Sequence, residues 1–310
     1  MGPVIVTGEY DGVRLDKFLQ AQFKGVTFTQ VQKLCRKGNI RLNGSRVKAN
    51  VLVTEGQEVR VPPFFYNQPE EIQQRLTPQD RELLEQSIIY QDDDMIVLNK
   101  LYGLPVQGGE KHLKSLDNMM KVFVEDKKAR LTHRLDRDTT GCLVFALDRP
   151  TSAKIADAFK TRLVQKTYWA LVQGRLPQLE GTIKAPLKKV GKDGDQRMAV
   201  HPDGKRAVTH YRTIASAGKN IHWLEVTPET GRTHQIRVHL AEIGTPIIGD
   251  SKYGEIEDLG EHMPSNKMFL HARSLQFDPS LKLKCNQFTA PLSAHFKTTF
   301  ELFNWQEKQV

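Results

Sequence analysis

Residues 133–141 read HRLDRDTTG, so a histidine, two arginines and two aspartates fall within six positions. Asp136 is the candidate for chemistry. A carboxylate among arginines is favoured in its charged form, the state required of a nucleophile or electrostatic stabiliser at a sugar carbon. The apolar run after it, 142–147 (CLVFAL), predicts a strand that would hold the polar loop against a core. A surface salt-bridge cluster has the same composition, and composition does not separate the two.

Two later positions could serve the same site. Tyr168 lies in the β-forming run 166–172 (KTYWALV). Such a tyrosine is either a core residue with a satisfied hydroxyl or a flat wall that stacks on a base. Arg237 falls near the start of the helix expected after 229–233, where the dipole disfavours a cation without a carboxylate partner. That misfit predicts that Arg237 is paired. His234 and His239 are five apart, share no helical face, and are not read as metal ligands.

Asp136-x-Asp138-x-Thr140 also fits the Asp-x-Asp-x-Thr pattern of haloacid-dehalogenase-like phosphotransferases. There the aspartates follow a buried apolar strand and bind magnesium. Here RLTHRL precedes them, which is too polar for such a strand, and a basic neighbourhood opposes a cation that prefers carboxylates. Residues 108–115 (GGEKHLKS) lack the Gly-Lys-Ser/Thr closure of a phosphate loop.

The elements that must position these residues are strand-rich from Ile88 onward. Two short strands around the acidic turn 92–94 are expected, then a helix over 150–165 with Ala156, Phe159 and Leu163 on one stripe. A strand over 221–228 and a helix capped by Thr233, with Ile236, Leu240 and Ile243 on its apolar side, complete the frame. Before it, 62–80 carries four prolines with little periodicity and reads as a linker. The expected division is 1–61, a connector over 62–85, and 86–310.

Positions 1–61 hold ten Lys/Arg against five acids, over half of the chain's formal +9. A helix over 30–37, with Thr29 as N-cap and Gly38 as stop, is followed by a hairpin at Asn43-Gly44 and a further strand pair, 51–54 with 57–61. Lys17, Lys33, Arg36, Lys37, Arg41, Arg46 and Lys48 form the footprint expected of a phosphate-contacting face. A pI near 9.3 favours a polyanionic partner. Three dispersed cysteines suit a reducing cytosol, and no run reaches the roughly 20 apolar residues of a membrane span.

Residues 14–48 resemble the small RNA-binding module named after a ribosomal small-subunit protein, also called the alpha-L motif. Over nearly the whole chain, HRLDRDTTG, Lys166-Thr167-Tyr168 and 231–239 (GRTHQIRVH) resemble the A-type family of ribosomal and transfer-RNA pseudouridine synthases. Asn99-Lys100 with 103–106 (GLPV) looks like the family's first motif and Leu270-His271-Ala272 like its late one. Leu101 departs from the usual proline there.

The resemblance implies an α+β fold: an alpha-L domain plus a catalytic domain with a mixed, mostly antiparallel sheet flanked by helices. It implies isomerisation of uridine to pseudouridine in RNA, with large-subunit ribosomal RNA as partner, in the cytoplasm, as a monomer, with no cofactor, metal or membrane. It places Asp136 at the ribose, Arg237 against Asp136, and Tyr168 on the uracil. It has Arg134 fill the gap left by the flipped-out nucleotide, with His133 beside it in the base-flipping role.

Overall fold

A computed structural model of the chain describes residues 2–23, 25–66, 76–108, 114–124, 129–191, 196–254 and 267–307. Lys24, Gly109 and 110–113, which figured in the basic count and the rejected phosphate loop, lie outside them. The chain divides into two compact units, Met1–Arg75 and Leu76–Val310.

The first unit contains β1 (Val4–Ile5), α1 (Leu15–Gln22), α2 (Phe28–Lys37), β2 (Arg41–Leu42), β3 (Ser45–Arg46) and β4 (Glu58–Arg60). Its strands form one sheet in the order β1-β4-β2-β3. Leu15, Phe18, Leu19, Val31, Ile40 and Val59 make its core. The cap of α2 is Thr27, not Thr29: Thr27 and Gln30 form a reciprocal capping box, which begins the helix two residues earlier. Gly38 ends it in the left-handed region, as expected. Asn43 and Gly44 both take positive φ in the β2–β3 turn, the geometry a two-residue hairpin demands. The second expected strand pair does not form. Leu52 bridges Arg14, while β4 pairs with β1 and β2.

In the second unit the order is α3 (Pro78–Ser87), β5 (Ile88–Gln91), β6 (Met95–Lys100), α4 (Leu116–Phe123), β7 (Arg130–Leu131), β8 (Thr140–Ala146) and α5 (Arg149–Thr161). Then come β9 (Val164–Gln173), β10 (Glu180–Lys184), β11 (Leu187–Val190), β12 (Arg197–Val200), β13 (Val208–Ala217) and β14 (Ile221–Pro228). Last are α6 (Gln235–Glu242), β15 (Leu270–Phe277), β16 (Gln287–Thr289) and α7 (Ala294–Leu302). Helix α3 falls where the prolines suggested a connector; Thr77 caps it, Pro78 occupies its first turn, and Leu84 is buried.

A ten-stranded mixed sheet runs β10-β13-β14-β9-β15-β8-β6-β5, with β16 on β15 and β7 on β8. Among the described residues only β8 and β15 pair in parallel. Strands β6 and β8 are buried on both faces, so they read as continuous apolar runs. Ile96, Leu98, Leu143 and Phe145 pack toward α4. Met95, Val97, Cys142 and Val144 pack toward α5 and β16. Helix α5 ends at Thr161 because Arg162 turns left-handed. Its buried stripe is therefore Thr151, Ile155 and Ala158, whereas Leu163 is exposed.

Candidate active site

Asp136 lies in the loop that enters β8, and three anchors fix that loop. Leu135 is buried in the core beside Leu143. The Thr139 amide donates to the Asp136 carbonyl at 3.2 Å, closing a turn. Lys100, 1% exposed at the end of β6, donates through Nζ to the carbonyls of Arg137 (2.7 Å) and Leu101 (2.8 Å). Burial pushes the Lys100 pKa down to about 7, against the opposing pull of Asp138 and Asp136.

Beyond the loop, Gly141 has φ +107, and a Cβ there would land on the Ala272 backbone. The β8–β15 junction thus needs glycine. One residue before, the Thr140 hydroxyl donates to Nδ1 of buried His271, whose Nε2 faces the Ala290 carbonyl. Burial pushes the His271 pKa down to about 4, so the ring stays neutral and ties β8 to β15.

Helix α6 brings Arg237 to Asp136, Nη1 standing 3.2 Å from Oδ2. The stronger partner of Arg237 is Asp250, reached by two bonds of 2.7 Å from Nε and Nη2. Burial works against the guanidinium, but Asp250 and then Asp136 hold its pKa above the usual range. The Asp250 side chain is itself 1% exposed and accepts from the amides of Lys252 and Tyr253. The misplaced-looking cation at the start of α6 is thus compensated by a bidentate carboxylate. Nothing in the sequence reading pointed to Asp250. His234, not Thr233, precedes the helix, in the left-handed region and without a side-chain cap.

Tyr168 and Lys166 project to one side of β9, two residues apart, and both line the cavity above Asp136. Burial, then the Asp136 charge, pushes the Tyr168 phenol above its ordinary range, so it keeps its proton. Arg134 is exposed at the rim, with Nη1 3.3 Å from Gln107 Oε1. His133 also lines the cavity, with its ring held in place from behind. Its Nε2 accepts from the Val144 amide at 3.1 Å and its ring lies on Phe159 at 4.3 Å. Burial pushes its pKa down to about 3, so it carries no charge.

The cavity measures about 820 Å³ and is lined by Arg134, Arg162, Lys166, Arg232 and Arg237 among its cations, with Asp136 and Glu229 as its acids. That volume accommodates a nucleotide, and the charge balance suits a polyanion. Sequence reasoning missed Lys166, Arg162 and Glu229 as lining residues. No group of three or more His, Cys, Asp or Glu able to hold a metal occurs among the described residues.

In the first unit, Lys17, Lys33, Arg36, Lys37, Arg46 and Lys48 are exposed. Arg41 is half-buried and donates to the carbonyls of Gly38 and Gly44, so it stiffens the hairpin turn.

Residues 94–242 match the model of the RNA pseudouridylate synthase family, and 13–59 match the S4 domain. The chain belongs to the RNA pseudouridylate synthases and is an RNA pseudouridine synthase, an isomerase. Within that family it is similar along nearly its whole length to proteins named ribosomal large subunit pseudouridine synthase C. That of Buchnera aphidicola subsp. Baizongia pistaciae is 32% identical, covering 96% of this chain and 95% of its own. That of Vibrio cholerae is 34% identical, covering 92% and 91%. A solved structure of human RNA pseudouridylate synthase domain containing 4 is 27% identical with a TM-score of 0.59, covering 72% of this chain and 95% of that one. An S4 domain followed in the chain by a domain with a mixed, mostly antiparallel sheet is the architecture the resemblance implied.

Proposed function

We propose that this synthase isomerises uridines in large-subunit ribosomal RNA in the cytoplasm, as a monomer and without cofactor or metal, with Asp136 acting at the ribose. The observation that carries this reading is the pairing of Asp136 with Arg237 on the floor of a nucleotide-sized cationic cavity walled by Tyr168. A stacked uridine cannot present its sugar carbon to such a floor. It must be flipped out, at about a few kcal/mol, and Arg134 at the rim fills the space it leaves.

The bond from ribose carbon 1′ to uracil nitrogen 1 then breaks, and the Asp136 carboxylate stabilises the electron-poor sugar. The base turns on the face of Tyr168, and carbon 5 bonds to carbon 1′. The proton on carbon 5 is lost and nitrogen 1 gains one, so the reaction is balanced with no redox partner or water consumed. Tyr168 acts as a wall, since its phenol keeps its proton. His133 backs the loop from within. The exposed cations Lys17, Lys33, Arg36, Lys37, Arg46 and Lys48 seat the RNA backbone.

The test uses unmodified large-subunit RNA with tritium on uracil carbon 5. Wild type releases tritium and Asp136→Asn does not. Absence of release by wild type from any large-subunit RNA sinks the reading.

A further inference from the structure

Arg237 touches one oxygen of Asp136 and leaves the other facing His234. The His234 Nε2 is 3.8 Å from Asp136 Oδ1. Its other nitrogen, Nδ1, is 2.7 Å from the Tyr253 hydroxyl, and that hydroxyl oxygen accepts from the Met198 amide on β12 at 3.1 Å. These contacts favour one tautomer. With the phenol oxygen already accepting from Met198, the phenol proton goes to the acceptor in reach, Nδ1. The proton of a neutral imidazole then sits on Nε2 and points at Asp136. The surroundings favour the neutral ring: burial lowers the His234 pKa, Asp136 opposes it, Arg237 and Lys252 lower it further, and Asp250 again opposes.

The backbone supports the same reading. His234 has φ 52, a conformation that histidine tolerates better than most residues and that asparagine tolerates best. Tyr253 is fixed on three sides. Its amide donates to Asp250 Oδ1, its ring lies 5.0 Å beneath the Arg237 guanidinium, and its hydroxyl meets the β11–β12 hairpin. Lys252 joins that hairpin again through the Gln196 carbonyl.

We propose that His234 is a positioning residue for Asp136, presenting Nε2–H to the oxygen that Arg237 leaves open, with Tyr253 and the β11–β12 hairpin setting its tautomer and aim. This rests on the reading of Asp136 as the catalytic carboxylate. The separation of Nε2 from Oδ1 is longer than a hydrogen bond, and such contacts shorten when substrate closes the site. With both oxygens held, the carboxylate keeps one orientation toward the sugar carbon. The hairpin then becomes part of the catalytic frame, since its Met198 amide fixes the phenol.

The test measures single-turnover tritium release and RNA affinity for wild type, His234→Gln, His234→Asn, Tyr253→Phe and Asp136→Asn. A glutamine amide nitrogen reaches the place of Nε2, whereas an asparagine nitrogen reaches only that of Nδ1. Backbone preference favours the asparagine variant and the carboxylate contact favours the glutamine variant, so the two explanations predict opposite orders. We expect His234→Asn and Tyr253→Phe to slow the chemical step about tenfold or more at nearly unchanged affinity, with His234→Gln clearly faster than His234→Asn. A rate for His234→Asn equal to or above that of His234→Gln, or losses confined to affinity, overturns the proposal. Nitrogen NMR of the wild-type imidazole gives a check that needs no variant to fold. Protonated Nε2 with bare Nδ1 is expected, and the reverse tautomer overturns the proposal. An active Asp136→Asn would instead overturn the reading of Asp136 itself.

Discussion

At the residue scale, two buried charges carry what the visible motif needs. Asp250 converts Arg237 from a liability into a fixed cation, and removing its charge leaves a buried guanidinium poorly compensated. Asp250→Asn is expected to cost about 3 kcal/mol in stability, measured by urea unfolding, and to slow turnover beyond that. Lys100 holds the Arg137 carbonyl and so the height of the neighbouring Asp136. Its pKa falls from the ordinary lysine range to about 7 on folding. Between that value and the unfolded one the unfolded chain binds the extra proton, so stability rises with pH. Unfolding at pH 7 and pH 9 should therefore show a larger gain for wild type than for Lys100→Met; equal gains would contradict it. The pairing of Arg237 was legible from its unfavourable place on α6. Asp250 was not, because it sits in a loop with no periodicity, well past the end of that helix. Lys100 stood in a recognisable motif, but a run of strand residues does not tell which lysine end is buried.

At the element scale, the site depends on the parallel junction of β8 with β15. The apolar run of β8 was plain in the sequence, and its burial on both faces follows from that run. Its partner was not, since pairing between such distant stretches of chain leaves no local trace. Gly141 marks the junction. Gly141→Ala would set a Cβ against the Ala272 backbone at a φ disfavoured for alanine. We expect a loss of more than about 2 kcal/mol, read as a lower urea midpoint. Element ends were the weaker part of the sequence reading. Thr27-x-x-Gln30 was a readable capping box overlooked for Thr29, whereas nothing local foretold that Arg162 would turn left-handed and stop α5 early.

At the scale of the whole molecule, the proposed reading gives the first compact unit a share of the RNA affinity and the second the chemistry, and the two should separate in measurement. Replacing Lys33, Arg36 and Lys37 by alanine should weaken RNA binding at every site alike and flatten the salt dependence by about 2 in log–log slope. The single-turnover rate at saturating RNA should stay near that of wild type. A collapse of that rate would contradict the division. The basic excess at the start of the chain made this unit legible from composition, and the ordered motifs made the second legible as a synthase. The proposed reaction, pseudouridine made in large-subunit RNA with the Asp136 carboxylate at the ribose, is checked by mapping pseudouridines in the large-subunit RNA of a deletion strain complemented by wild type or by Asp136→Asn. Specific sites should vanish on deletion, return with wild type, and stay unmodified with Asp136→Asn; an unchanged map on deletion, or restoration by the asparagine variant, would contradict it.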